Sequence, residues 1–292
     1  MNLRTLRKPQ ITSVITYFVE EVPGLKTGRD IGASYLYNSE GEIAKDRSIG
    51  LTSALTGIGW NLLDKLQIDT CPLGLSNSNY KISCGDDGPL LLKVYGPIVG
   101  NTNLDERHIQ DCGFGAKVVL SLDWGRLETW LPGRAMRRED CEDSQVLAVL
   151  AKELRRLHTV TGRNHNDLNF TNVLVSSSLD VTTHLLDFEY AGPLDAPFDV
   201  ANFFCEWMYD HESRRWFEPD PTLFPSEEQA RFFIAQYLEI TDSASSEVSE
   251  FLKEVQARIP HVHAYWIDWA MSNFSDRDEY VRYAELRQLL SD

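Results

Sequence analysis

The feature that most narrows the fold lies between residues 165 and 188. A polar stretch, "HNDLNFTN", runs into the apolar "VLV", and after the polar "SSSLDVT" a second apolar run, "THLLDF", follows. Two short apolar runs divided in this way read as a β-hairpin. Asp167 and Asn172 stand just ahead of its first strand, and Asp187 ends its second. Phosphoryl transfer calls for such a set: a carboxylate to orient the attacking hydroxyl, and oxygen ligands to hold magnesium on nucleotide phosphates. In kinase-like enzymes the aspartate and an asparagine five residues on share a loop, and the second metal ligand ends the next strand. The same residues could equally form an ordinary polar turn, and the stretch alone does not separate the two readings.

The rest of the chain bounds the answer. With 292 residues, 42% hydrophobic and 25% charged, it has the balance of a soluble globular protein large enough for one domain or two lobes. No apolar run is long enough to cross a bilayer, so no integral membrane segment is expected. The N-terminus lacks a long apolar core, which argues against a secretory signal and leaves a basic organelle leader open. Cys71, Cys84, Cys112, Cys141 and Cys205 are scattered and form no C-x-x-C, so reduced thiols in a cytoplasmic protein fit best. A net charge of −16 argues against nucleic acid or an anionic membrane as partner and suits a cationic substrate.

Residues 1 to about 60 are polar and turn-rich and receive no assignment. "NYKISC" and "PLLLKVYG" flank the turn-forming "GDDG" and predict a β-hairpin, with Leu90, Leu92 and Val94 on one face and Leu91, Lys93 and Tyr95 on the other. From Ser144 the period changes: Val146, Leu147, Leu150, Leu154 and Leu157 predict a helix with one buried face. "SEEQARFFIAQYL" opens with Ser226 and Gln229 at capping-box spacing. Strand-rich material first and helix-rich material last predict an α+β protein in two lobes, residues 1–130 and 131–292.

"HNDLNFTNVLV", "LLDFEYAG", "FDVANFFCEWMYD" and "FPSEEQARFFIAQYL" resemble, in order, the catalytic core of the choline/ethanolamine kinase family. The resemblance covers roughly residues 70 to 290 and is closer to choline kinases. It implies a bilobal, protein-kinase-like fold, with a small β-rich N-lobe and a larger, mostly helical C-lobe. It also implies use of ATP and Mg2+ to phosphorylate the hydroxyl of a small cationic amino alcohol. On the matching positions, Asp167 is the catalytic base, Asn172 and Asp187 are metal ligands, and Asp199 braces the catalytic loop. A helix N-cap is the plainer role for Asp199. His165 orients the loop backbone. Gly74, Ser76 and Asn77 in "LGLSNSNYKI" match the loop over the nucleotide phosphates. Lys93 matches a basic residue that contacts them, and Trp130 and Leu131 in "LETWLPGR" lie near the adenine. The helix that bears the partner glutamate of Lys93 is shorter here than in the family, which leaves Glu106 and Asp105 as candidates.

A quaternary ammonium donates no conventional hydrogen bond and is recognised by ring faces and a nearby carboxylate. Trp266 and Trp269 in "HVHAYWIDWAMSNF" stand three apart on a helical pattern. With Tyr283 they match the family's aromatic cage, and Tyr190 and Glu206 match further pocket residues. A tryptophan pair at this spacing also serves simple core packing. Two departures stand out: His211 replaces a tyrosine usual in the pocket, and the segment from Trp269 to Tyr283 is short. The resemblance thus implies a choline kinase making phosphocholine for phosphatidylcholine synthesis. Ethanolamine or another cationic acceptor stays open as an alternative, as does a catalytically silent nucleotide- or choline-binding scaffold. Dimers are common in the family, so a homodimer stays open as well.

Overall fold

The computed structural model describes residues 66–71, 77–84, 87–95, 104–122, 125–176, 180–211 and 213–291. Two compact units divide them. One takes the described residues up to Asn101 together with Ala116–Trp130; the other takes Thr102–Gly115 and everything from Leu131 onward. Residues 104–115 thus group with the second unit although they precede residue 130 in the chain.

The first unit is an antiparallel sheet of β1 (Leu66–Cys71), β2 (Asn77–Cys84), β3 (Asp87–Tyr95), β4 (Val118–Leu122) and β5 (Gly125–Thr129), in the order β1-β2-β3-β5-β4. The expected hairpin is present as β2 and β3, with Asn79 opposite Lys93 and Tyr80 opposite Leu92. Strand alternation turns Tyr80, Ile82, Leu92, Val94 and Leu127 to one buried face. The other face carries Lys93 and, opposite it on β5, Arg126. Arg126 Nε donates to Glu128 Oε1 at 2.5 Å, and all three residues are buried. Gly125 lets β5 start this close to β3, because a Cβ there would sit 2.5 Å from the Lys93 carbonyl oxygen.

The second unit opens with α1 (Leu104–Asp111) and is otherwise helical around two small sheets. After β6 (Arg134–Ala135) comes α2 (Ser144–Thr161), then β7 (Arg163–Asn164), β8 (Val173–Ser176), β9 (Thr182–Leu185) and β10 (Gly192–Pro193). The long helices follow: α3 (Ala196–Glu206), α4 (Glu227–Leu238), α5 (Ser246–Phe274) and α6 (Asp278–Ser291). β8 and β9 form the hairpin read from "NVLV" and "THLLDF", with β6 on the outer edge, and β7 pairs with β10. The Asp143 carboxylate caps α2 by accepting from the amides of Gln145 and Val146, and Gly162 ends the helix at φ 64°. Val146, Leu147, Leu150, Leu154 and Leu157 are all buried, and the capping box of Ser226 and Gln229 opens α4. Among the described residues no helix is long and apolar enough to cross a membrane.

α2 packs against α4 and β9 and hands the chain directly to β7 and the loop beyond, so its burial positions that loop. Leu154 is fully buried. Leu154→Ala is expected to lower unfolding stability by about 2–5 kcal/mol, read as the midpoint shift in urea.

Candidate active site

The loop from His165 to Asn172 is held from behind by one carboxylate. Asp199, on α3, is wholly buried. Its Oδ2 accepts from the His165 amide at 2.6 Å and from His158 Nε2 at 2.9 Å, and its Oδ1 accepts from the Asn166 amide at 2.7 Å. His158 lies on α2, so this carboxylate ties two helices to the loop. Burial pushes its pKa upward, but the His158 hydrogen bond, the neighbouring imidazoles and the backbone amide outweigh it and hold the pKa below the usual aspartate value. The N-cap of α3 is Asp195, which accepts from the Phe198 amide, so the alternative role of Asp199 as helix cap falls away. The brace also holds Asn166 at φ 65°, a left-handed conformation uncommon for residues other than glycine.

His165 turns its ring into the loop. The Leu186 carbonyl can only accept, so Nε2 donates to it at 2.7 Å; the Asp167 amide can only donate, so Nδ1 accepts from it at 3.3 Å. Both ring nitrogens are engaged in holding backbone.

Asp167 is half-buried, with Oδ1 accepting from Asn169 Nδ2 at 3.0 Å and Oδ2 from Asn172 Nδ2 at 2.8 Å. Poor solvation, followed by the charges of Glu206 and Asp187, raises its pKa well above the ordinary value. Asn172 spends its amide nitrogen on Asp167, which turns its carbonyl oxygen elsewhere. The Leu186 amide donates to the Asn172 carbonyl at 2.8 Å, extending the β8–β9 ladder by one step. That step brings the strand end, with Asp187 at φ 60°, alongside Asn172. An amide oxygen and a carboxylate are hard donors of the kind that suit a magnesium ion otherwise held by phosphates and water.

On α5, Trp266 and Trp269 meet Tyr190 edge to face, with centroids 5.7 Å and 6.4 Å from the tyrosine ring. Trp269 Nε1 donates to the Tyr190 hydroxyl at 2.9 Å, and Trp266 Nε1 donates to Asn202 Oδ1 at 2.7 Å. Trp269 and Tyr190 are half-buried, whereas Trp266 and Tyr283 are 5% and 4% exposed. Glu206 is engaged at both oxygens, by Arg287 and by His211 Nε2, the latter at 2.8 Å. A cavity of about 650 Å3 opens beside Thr171, with Tyr209, His211, Arg138 and Asp220 in its walls.

The remaining expected residues are placed unevenly. Gly74 and Ser76 lie outside the described residues, and Asn77 is described only as the first residue of β2, backbone-paired with Tyr95. Lys93 is a buried strand residue of the first unit. Trp130, in that unit, stacks under Lys81 Nζ at 5.0 Å, while Leu131 belongs to the second. Of the two candidate acids on α1, Asp105 is taken by Arg163 at 2.6 Å and Glu106 is buried. Arg287, Asn202 and His158 were not among the expected site residues. The spacing of Arg287 four residues after Tyr283 on one helix face could have flagged it, but nothing in sequence marks an arginine as buried.

Residues 162–290 match the family model described as choline/ethanolamine kinase. The probable choline kinase 3 of Arabidopsis thaliana is 28% identical over 184 residues, 58% of this chain and 52% of that protein. The mouse choline/ethanolamine kinase is 23% identical over 322 residues, 79% and 81% of the two chains. The chain spans about half the length of the Arabidopsis relatives it matches. Among solved structures, an ethanolamine kinase of Plasmodium vivax superposes with a TM-score of 0.70 at 18% identity, covering 87% of this chain and 89% of that one. The fold is α+β and protein-kinase-like, with a strand-rich first unit and a helical second one.

The brace makes a prediction about acid stability. Because the folded pKa of Asp199 lies below its unfolded value, its contribution is complete above about pH 5 and drains away as pH falls below about 4. Asp199→Asn is expected to cost about 3 kcal/mol at neutral pH and to remove that part of the acid slope, both read from urea melts across pH.

Proposed function

We propose that this chain, whose residues 162–290 match the family model described as choline/ethanolamine kinase, is a cytoplasmic kinase that transfers the γ-phosphoryl group of ATP to the hydroxyl of choline. The product, phosphocholine, opens the nucleotide-activated route to phosphatidylcholine. The observation that carries the reading is Asp167: a carboxylate of raised pKa, fixed by two asparagine amides on a loop braced from behind, whose Asn166 donates to the carbonyl of Tyr190 at 2.9 Å.

In this reading Asp167 accepts the hydrogen bond of the choline hydroxyl, aims its oxygen at the phosphorus and takes the proton as the bond forms. A carboxylate whose pKa is raised is a stronger base while still ionised, which favours that transfer. Asn169 and Asn172 keep it in one rotamer, and Asp199 and His165 keep the loop from yielding. The Asn172 carbonyl oxygen and the Asp187 carboxylate would hold Mg2+, which supplies neutralisation of phosphate charge when bound. Lys93 and the loop of Gly74, Ser76 and Asn77 act on the phosphate oxygens, and Trp130 and Leu131 on the adenine. The ring faces of Tyr190 and Trp269, with Trp266 behind them, receive the ammonium.

Ethanolamine is the second reading, favoured by the mouse relative named for both substrates. ADP release measured with ATP and Mg2+, and with choline, ethanolamine or neither, separates the two. Choline-stimulated release that falls by about 10²-fold or more in Asp167→Ala is expected. Release with ethanolamine alone would overturn the substrate, and ligand binding without turnover would point to a silent scaffold. Trp269→Ala is expected to raise the apparent choline constant about tenfold while leaving that for ATP nearly unchanged. If choline dependence were unaffected in both Trp269→Ala and Trp266→Ala, the ring-face assignment would be lost.

A further inference from the structure

The carboxylate assigned to the acceptor's cation already has a cation of its own. Arg287 is fully buried and Glu206 is 2% exposed. Arg287 Nη2 donates to Glu206 Oε1, and His211 Nε2 donates to Oε2 at 2.8 Å. The same guanidinium lies over Tyr209 at 4.5 Å, over Tyr283 at 4.7 Å and near Trp266 at 5.9 Å. Arg287 therefore occupies the very arrangement, three rings and a carboxylate, that a substrate ammonium would want. Burial alone would raise the Glu206 pKa, but Arg287 and then His211 override it and hold it at about 2, so the carboxylate stays ionised and paired.

This pair stands close to the chemistry. Glu206 lies one turn along α3 from Asn202, whose side chain donates to the carbonyl of Leu168, the residue after Asp167, at 3.2 Å. Trp266 has the Arg287 guanidinium 5.9 Å and the Tyr190 ring 5.7 Å from its centroid. Of the rings matched to the cation cage, Tyr190 and Trp269 are the half-buried ones and Arg287 lies over neither.

Those two kinds of partner reward different ammonium groups. A primary ammonium brings three N–H donors and loses water from each, so it needs acceptors such as a carboxylate. A quaternary ammonium has no N–H to satisfy and gains from ring faces alone.

We infer that Arg287 is a specificity-determining positioning residue: by engaging Glu206 as an internal ion pair, it withholds that carboxylate from the substrate and biases the acceptor site toward a quaternary over a primary ammonium. The inference rests on the reading of the chain as an amino-alcohol kinase.

The test is competition between choline and ethanolamine in one reaction, which gives the ratio of their kcat/KM values and does not depend on the fraction of enzyme folded. In wild type the ratio favours choline. In Arg287→Met the carboxylate becomes available to N–H donors, and the ratio falls by about tenfold or more, the worth of one hydrogen bond to a charged group. Arg287→Lys keeps the ratio within about threefold of wild type, because an ammonium can still pair with Glu206. Arg287→Met combined with Glu206→Gln removes both charges and also keeps choline favoured, which tests the idea even where the single variant does not fold. A ratio unmoved by Arg287→Met, or a double variant that has lost its choline preference about tenfold, would overturn it.

Binding is followed in parallel by tryptophan fluorescence, titrating tetramethylammonium and methylammonium. If wild type turns over neither alcohol yet binds tetramethylammonium more tightly, and Arg287→Met loses that preference while the double variant keeps it, the kinase reading fails and the role of Arg287 stands. Equal affinities in wild type would sink the role itself.

Discussion

One polar stripe on a single helix holds the second unit's chemistry in place. α3 is otherwise apolar, burying Val200, Ala201, Phe203, Phe204 and Cys205. Along one face it sets Asp199, Asn202 and Glu206, each at most 2% exposed. Their spacing of three and then four residues keeps them in line. Asp199 grips the backbone of His165 and Asn166, and Asn202 Nδ2 donates to the Leu168 carbonyl at 3.2 Å. The other end of Asn202 accepts from Trp266, and Glu206 closes the row on Arg287 and His211. The loop, the ring cluster and the buried ion pair are thus read off the same rod. The polar groups cost desolvation, and each is satisfied by a partner that the site needs to have fixed.

This arrangement explains which features were legible in the sequence. The hairpins, the buried face of α2 and the capping box of α4 follow from periodicity and local hydrogen bonding, which neighbouring residues set among themselves. The grouping of Asp167, Asn172 and Asp187 was legible because one hairpin joins them, so their approach needs no long-range packing. The string "FDVANFFCEW" served as a mark of resemblance, and its physical content appears only in three dimensions. Asp199 is matched by resemblance to a residue that braces the loop, with a helix cap as its plainer role; Asp195 caps the helix, and Asp199 accepts from the loop amides of His165 and Asn166.

The partners of the stripe were illegible for a plain reason. His158 reaches Asp199 across 41 residues, and Arg287 reaches Glu206 across 81. A charged residue on an amphipathic helix is ordinarily solvated, so α6 gave no hint that Arg287 points inward. The same ignorance affected Glu206 and Tyr283. Both were assigned to a substrate cation by resemblance, and only the coordinates reveal that a guanidinium already lies against them. Lys93, matched by resemblance to a phosphate-contacting basic residue, is a buried strand residue with Arg126 directly across the ladder.

Helical geometry then links the two ends of the stripe. Seven residues along a helix advance about 10 Å and return to within about 20° of the same face. The loop brace and the acceptor-side ion pair are therefore held at a fixed separation by a rod that neither of them can bend. A change of length by one residue would swing one end about 100° away from its partner, so the spacing of Asp199, Asn202 and Glu206 is as much a part of the site as their identities. Buried ion pairs seldom add net stability, because desolvation offsets attraction. At Glu206 and Arg287 the gain is better sought in definition: a buried carboxylate whose charge, rotamer and hydrogen bonds are settled within the fold.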